Sequence, residues 1–398
     1  MLSLTKDENI KLGIMKLSEK YRKDTCKEKV NLALGVYINE HGISPVFNSV
    51  KNSELLLQSE EQTKASYEMF GNKRYNESIK KLLFPKKYLE RFYYKAATIQ
   101  TIGSCGALYL IANTLYELER KATVWISDPS WENHESIFEG YTNISKYTYK
   151  SLDEKFVDVN LIKKDLNRAK KGDYILLQVC CHNPTGMDLT INQWKDLALF
   201  IKSKDLNVIF DFAYQGFGID VESDAVPIQI FSQYLDTVII ANSFSKNMGL
   251  YSERVGGLTL LFEDNSKRKI WLNSIRSRIR KTYTIPPIHG SNIITTTMEN
   301  DTIYNMWINE LKEIKKDIDN KRYFLFKKLK EYDIFSKLIK FENQKGMFVI
   351  LNLNDNQIKR LREEFSVYLM SNGRISVASV TKGNIDYICN AIKIVIKT

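Results

Sequence analysis

The chain has 398 residues and sets 58 basic side chains against 47 acidic ones, a formal net charge of +11. Its lysines are spread along the chain rather than gathered in one block, which argues against a nucleic-acid partner and for a positive surface that suits anionic small molecules. Five cysteines without metal-type spacing, and no apolar run near the ~20 residues of a membrane span, predict a reduced cytoplasmic protein with no metal and no membrane contact.

Residues 8–24 place Ile10, Leu12, Ile14, Leu17 and Tyr21 roughly on one side and predict an amphipathic helix. Residues 30–37 form a short strand-like run that contains Gly35. Apolar residues at 108, 111, 112, 115 and 118 have helical spacing. The run Thr101-Ile102-Gly103-Ser104-Cys105-Gly106 before them reads as a small-residue loop offering backbone N–H groups to an anion. Strands and helices then alternate. Predicted strands at 123–126, 174–179, 206–210 and 237–241 are followed respectively by Trp131, by Asn183, by Asp211 with Tyr214, and by Lys246, and 191–203 is helical. This alternation predicts a mainly parallel sheet flanked by helices. After Pro286-Pro287 comes a long charged helix over 301–331, then short strands at 347–351 and 374–378. We expect a large domain over 45–313 and a small domain built from 1–44 and 314–398, with an N-terminal arm.

Loops at the carboxyl ends of parallel strands gather ligands. Lys246 lies between Ser243 and Ser245, with Arg254 eight residues on. A lysine there can form a Schiff base with an aldehyde such as pyridoxal phosphate, while the serines and the arginine fork hold its phosphate. Asp211 suits the pyridine nitrogen, Tyr214 and Asn183 the ring oxygen, and Trp131 the ring face. Each residue alone also has a plainer reading: a surface lysine, a turn cap, an Asn-Pro turn, a core tryptophan.

Taken together, Ser243-Phe-Ser-Lys-Asn-Met-Gly-Leu-Tyr-Ser-Glu-Arg-Val-Gly256, Asp211-Phe-Ala-Tyr-Gln-Gly-Phe217, His182-Asn-Pro-Thr-Gly186, Pro129-Ser-Trp-Glu-Asn-His134 and Gly373-Arg-Ile-Ser-Val377 resemble the aspartate aminotransferases. These belong to the pyridoxal-phosphate fold-type I family, here its eukaryotic and enterobacterial subgroup, and the resemblance runs from about residue 8 to the C-terminus. It implies a mainly parallel seven-stranded sheet in the large domain and a smaller α+β domain. It implies that Lys246 forms the aldimine with pyridoxal 5'-phosphate, that Asp211 pairs with the ring nitrogen, and that Asn183 and Tyr214 contact the ring oxygen. Ser243, Ser245, Arg254 and the Ser104-Cys105 loop would bind the phosphate, and Trp131 would stack on the ring. Tyr67 resembles the tyrosine that reaches a phosphate in the neighbouring subunit. Arg374 matches the arginine of the substrate α-carboxylate, and Gly35 the glycine over the substrate. Arg280, in the run to Pro286-Pro287, resembles the arginine that binds the distal carboxylate across the subunit interface, although a solvent-facing residue of a basic helix is its plainer reading.

The implied protein is a homodimer with two shared sites, transferring the amino group of L-aspartate to 2-oxoglutarate by a ping-pong mechanism. Rival readings are an aromatic or broad-range aminotransferase, a lyase or decarboxylase with the same cofactor, and an RNA-binding protein on an inactivated scaffold. The chain departs from the family pattern in Gly103-Ser104-Cys105 for Ser-Gly-Thr, Gln178 for a usual histidine, Ile285 for an asparagine and Ile38 for an arginine.

Overall fold

A computed structural model of the chain describes residues 13–85, 88, 91–92, 95–149, 157–339 and 343–397. The chain divides into two units. One comprises Pro45–Asn183 and Met187–Lys316. The other comprises the described residues up to Ser44, Pro184–Gly186, and the chain from Asp317 onward.

The first unit is organised around seven strands: β1 (Ala96–Ile102), β2 (Thr123–Asp128), β3 (Asn143–Thr148), β4 (Tyr174–Gln178), β5 (Asn207–Phe212), β6 (Thr237–Ser243) and β7 (Val255–Phe262). Their order is β1-β7-β6-β5-β4-β2-β3. β7 runs antiparallel to both of its neighbours, and the other pairs are parallel. β6 and β7 are buried along their whole length. This is why Val238, Ile239, Ile240 and Ala241 form an unbroken apolar run: helices cover both faces of a parallel sheet. On one face Leu108, Ile111 and Leu115 of the helix Gly103–Leu118 pack with Val124, Leu176, Ile209, Ile239 and Leu258, closed by Trp271 and Ile275. Each such side chain contributes roughly 1.5–3 kcal/mol by leaving water.

Sheet register decides what meets at the carboxyl edge. Gln178 is opposite Asp211, and Asp211 is opposite Ala241. Ser243 is opposite Gly256, and Ile102 opposite Val255. Two sequence expectations are corrected here. β5 extends through Phe212, so Asp211 is the penultimate residue of a strand and not the start of a loop. Residues 103–106 are likewise no loop, because the helix begins at Gly103, directly after β1. Gly103 makes that junction at φ +72°, which a glycine adopts without steric cost.

In the second unit the helix Ile14–Lys23 buries Leu17, and Tyr21 meets Tyr368 edge-on at 5.5 Å. Ile10 and Leu12, assigned to this helix from sequence, lie outside the described residues. The strand-like run over 30–37 shortens to Val30–Asn31, paired with Val367–Tyr368. Leu32 still donates to Tyr368 O, but its own carbonyl accepts from Ser376 N–H, so the chain changes partners. Gly35 then lies under Phe348, whose Cζ is 2.6 Å from where a Cβ would stand. The expected strands at 347–351 and 374–378 are observed as an antiparallel pair, Phe348–Ile350 with Arg374–Ser376. Among the described residues no helix is long and apolar enough to cross a membrane.

Candidate active site

An anion cup forms where β6, β7 and the helix Gly103–Leu118 meet. Ser243 Oγ donates to Ser245 Oγ at 3.0 Å and accepts from Ser245 N–H at 3.2 Å. Arg254 Nη1 donates to Ser245 Oγ (3.3 Å) and to Tyr251 O (3.0 Å). Arg254 has φ +54°, a left-handed conformation that costs a non-glycine residue about 1–2 kcal/mol. Its guanidinium rests on Gly103, with Nη2 2.6 Å from an added Cβ. Gly256 permits the approach of the two segments, since a Cβ there would stand 2.7 Å from Gly103 C and 2.5 Å from Asn242 O. The first turn of a helix carries N–H groups with no intrahelical partner and the positive end of the dipole. Ser104 and Cys105 occupy that turn, Ser104 buried and Cys105 half-buried. Burial, and then the charge of Asp211, push the Cys105 thiol up, while Arg254 and Lys246 oppose them. The thiol is therefore a neutral, weak donor.

Asp211 is buried, and its Oδ2 lies 2.9 Å from His134 Nε2. A carboxylate only accepts, so Nε2 carries the proton in this contact, and Nδ1 lies 2.9 Å from Ser130 Oγ. His134 has no solvent exposure. Asp211 Oδ1 is also buried and has no hydrogen-bond partner among the described residues. Trp131 meets the His134 ring edge-on at 5.2 Å. Lys246 Nζ lies 5.0 Å from the centre of the Tyr214 ring, a cation–π distance. Asn183 is buried and its backbone is held twice by one side chain. Its N–H donates to Gln178 Oε1 and its carbonyl accepts from Gln178 Nε2, both at 2.9 Å.

Ser104, Cys105, Trp131, Asn183, Asp211, Tyr214, Ser243, Ser245, Lys246 and Arg254 all lie at the carboxyl edge of this sheet. In the other unit Arg374 and Gly35 both lie against the Phe348 ring. The Arg374 guanidinium is 4.2 Å from that ring, and its Nη2 donates to Ala33 O at 2.6 Å. Tyr67, 90% exposed, and Arg280, exposed in the last turn of the helix Asn265–Thr282, are not part of either cluster. His134, like Gln178, has no role assigned from the sequence. Its signal was its place one helical turn after Trp131.

The donor set fits pyridoxal phosphate. A cationic cup with helix N–H groups suits a phosphate dianion, an amine stands beside a phenol, and a buried carboxylate oxygen lacks one donor.

Known proteins agree with that chemistry. A family model described as aminotransferase class I and II matches residues 27–392. An aspartate aminotransferase from Haemophilus influenzae is 37% identical over 95% of this chain and 96% of its own length. An aromatic-amino-acid aminotransferase from Escherichia coli is 35% identical over the same shares of the two chains. The crystal structure of an aromatic-amino-acid aminotransferase from Burkholderia pseudomallei, covalently bound to pyridoxal phosphate, matches with a TM-score of 0.90 at 34% identity, covering 99% of each chain. The fold is therefore that of the pyridoxal-phosphate fold-type I enzymes. Within it, the chain belongs to the class I and II aminotransferases.

Proposed function

We propose that this aminotransferase moves the amino group of L-aspartate to 2-oxoglutarate, giving oxaloacetate and L-glutamate in a ping-pong cycle with pyridoxal phosphate. The observation that carries the cofactor half of this reading is Asp211. One of its oxygens is held by His134 and the other is buried without a donor. A buried acceptor left unpaired costs about 1–3 kcal/mol, which the ring N–H of the cofactor would relieve. When bound, pyridoxal phosphate supplies an electron sink and a carrier for the amino group.

The chain's own groups do the rest. Ser243, Ser245, Arg254 and the first turn with Ser104 and Cys105 would hold the phosphate. Trp131 would cover the ring, and Asn183 and Tyr214 would contact its oxygen. Lys246 anchors the cofactor and moves the substrate's Cα proton, with the Tyr214 ring steadying its ammonium form. Arg374 grips the α-carboxylate with Gly35 beside it. Arg280 and Tyr67 act across the interface of a homodimer, which accounts for both being exposed on a single chain. Two arginines on two carboxylates fix the Cα–H bond for abstraction.

Arg280 favours dicarboxylates over aromatic amino acids. Aromatic activity is the second reading, supported by aromatic aminotransferases of nearly equal identity. Comparing kcat/KM for L-aspartate and L-tyrosine before and after Arg280→Ala separates the two. The aspartate value should fall at least a hundredfold, about 2.7 kcal/mol or more, with little change for tyrosine. Aspartate activity that survives intact would contradict the assignment.

A further inference from the structure

Gln178 stands where the family commonly has a histidine, and it does something no imidazole can copy. Its amide presents an acceptor and a donor side by side, and both are used on one residue. Oε1 accepts from Asn183 N–H and Nε2 donates to Asn183 O, each at 2.9 Å. This is the pattern by which two strands bond, made here by a side chain. Gln178 and Asn183 are buried, so neither bond competes with bulk water. Gln178 is also the last residue of β4 and lies opposite Asp211 on β5. One rung of the sheet therefore carries both the acid with the buried unpartnered oxygen and the side chain that holds Asn183.

We propose that Gln178 is a positioning residue that locks the Asn183 backbone to the rung bearing Asp211, and so sets the cofactor's ring oxygen and ring nitrogen contacts from one rigid reference. The functional half of this inference rests on the cofactor role given to Asn183 above. An amide does not titrate, so the lock holds at every pH at which the protein is folded. A histidine at this position could offer only one donor or acceptor per ring nitrogen and would change with pH.

Substitution at 178 separates the two bonds of the lock. In Gln178→Leu both bonds are lost. In Gln178→Glu the carboxyl group accepts from Asn183 N–H in either protonation state but donates to Asn183 O only while protonated. The first readout needs no cofactor: residue-resolved hydrogen exchange at Asn183 N–H in the apo-protein. Gln178→Leu should speed exchange at least tenfold at all pH values. Gln178→Glu, which keeps an acceptor for this N–H, should exchange more slowly than Gln178→Leu at every pH, after correction for the intrinsic rate. The second readout is the pH midpoint of the cofactor's visible absorption band in the holoenzyme, which Gln178→Leu should displace in the same direction as Asn183→Ala. Unchanged exchange in Gln178→Leu, or a Gln178→Glu protein that exchanges as fast as Gln178→Leu, overturns the lock. If exchange changes as expected and Asn183→Ala leaves the band midpoint unmoved, the lock stands and the cofactor role of Asn183 is what fails.

Discussion

Cys105 shows how one side chain changes the cup that surrounds it. A hydroxyl there would donate a full hydrogen bond to an anion, whereas a thiol donates weakly. Burial and Asp211 keep that thiol protonated, so it adds no charge against the phosphate. Cys105→Ser should lower the dissociation constant for pyridoxal phosphate by up to about tenfold, roughly 1.4 kcal/mol. Equilibrium dialysis of the apo-protein would read this, and an unchanged constant would show that the position makes no phosphate contact. His182 supplies the pH dependence. It is fully buried, stacked on Tyr149 at 3.8 Å between ring centres, and 3.1 Å from Ser127 Oγ. Burial, then the neighbouring His134, lower its pKa from 6.5 to about 3. The unfolded chain thus binds a proton below pH 6.5 that the folded protein refuses. The stability linked to His182 is complete above pH 6.5 and is lost as pH falls towards 3. Between pH 6.5 and 4.5 the loss should be on the order of 2–3 kcal/mol. Urea unfolding at the two pH values should show it, and the difference should shrink in His182→Asn.

At the scale of elements, the turn from β1 into the helix Gly103–Leu118 is what builds the cup. The chain passes from strand to helix at one glycine, and the Arg254 guanidinium occupies the space a side chain would need. Gly103→Ala combines a left-handed backbone, costing about 1–2 kcal/mol, with displacement of Arg254. We expect a lower Tm for the apo-protein and pyridoxal phosphate binding weakened about tenfold, measured on the same samples. A variant with a lowered Tm and parental affinity would separate the fold from the cup. Most elements were legible from the sequence, because their signals are local. The helices Ile191–Ser203 and Asp301–Glu331 lie where periodicity put them. What misled was polarity at strand ends. Asp211 looks like a loop residue after an apolar run, yet it is still paired in the sheet. The run at 30–37 looks like one strand, but its hydrogen bonds go to two neighbours in turn. Lys246 and its serines were readable as a short motif. The His134–Asp211 pair spans 77 residues, and the Gln178 lock depends on a side-chain orientation. Neither is visible in sequence spacing.

For the whole molecule, the sheet collects a cofactor constellation at one edge of the first unit, and the second unit carries Arg374 and Gly35. The net charge of +11 favours approach of dicarboxylates and is screened by salt. The central claim is that this edge holds pyridoxal phosphate on Lys246 and uses it to take the amino group from L-aspartate. A single half-reaction tests it most directly. Enzyme loaded with pyridoxal phosphate and free of oxo acid is mixed with L-aspartate while the visible band and oxaloacetate are followed together. The account predicts a complete shift of the band, about one oxaloacetate per subunit and then arrest, with none of this in Lys246→Ala. Product formed continuously without an oxo acid, or a band that responds to L-tyrosine and not to L-aspartate, would contradict it.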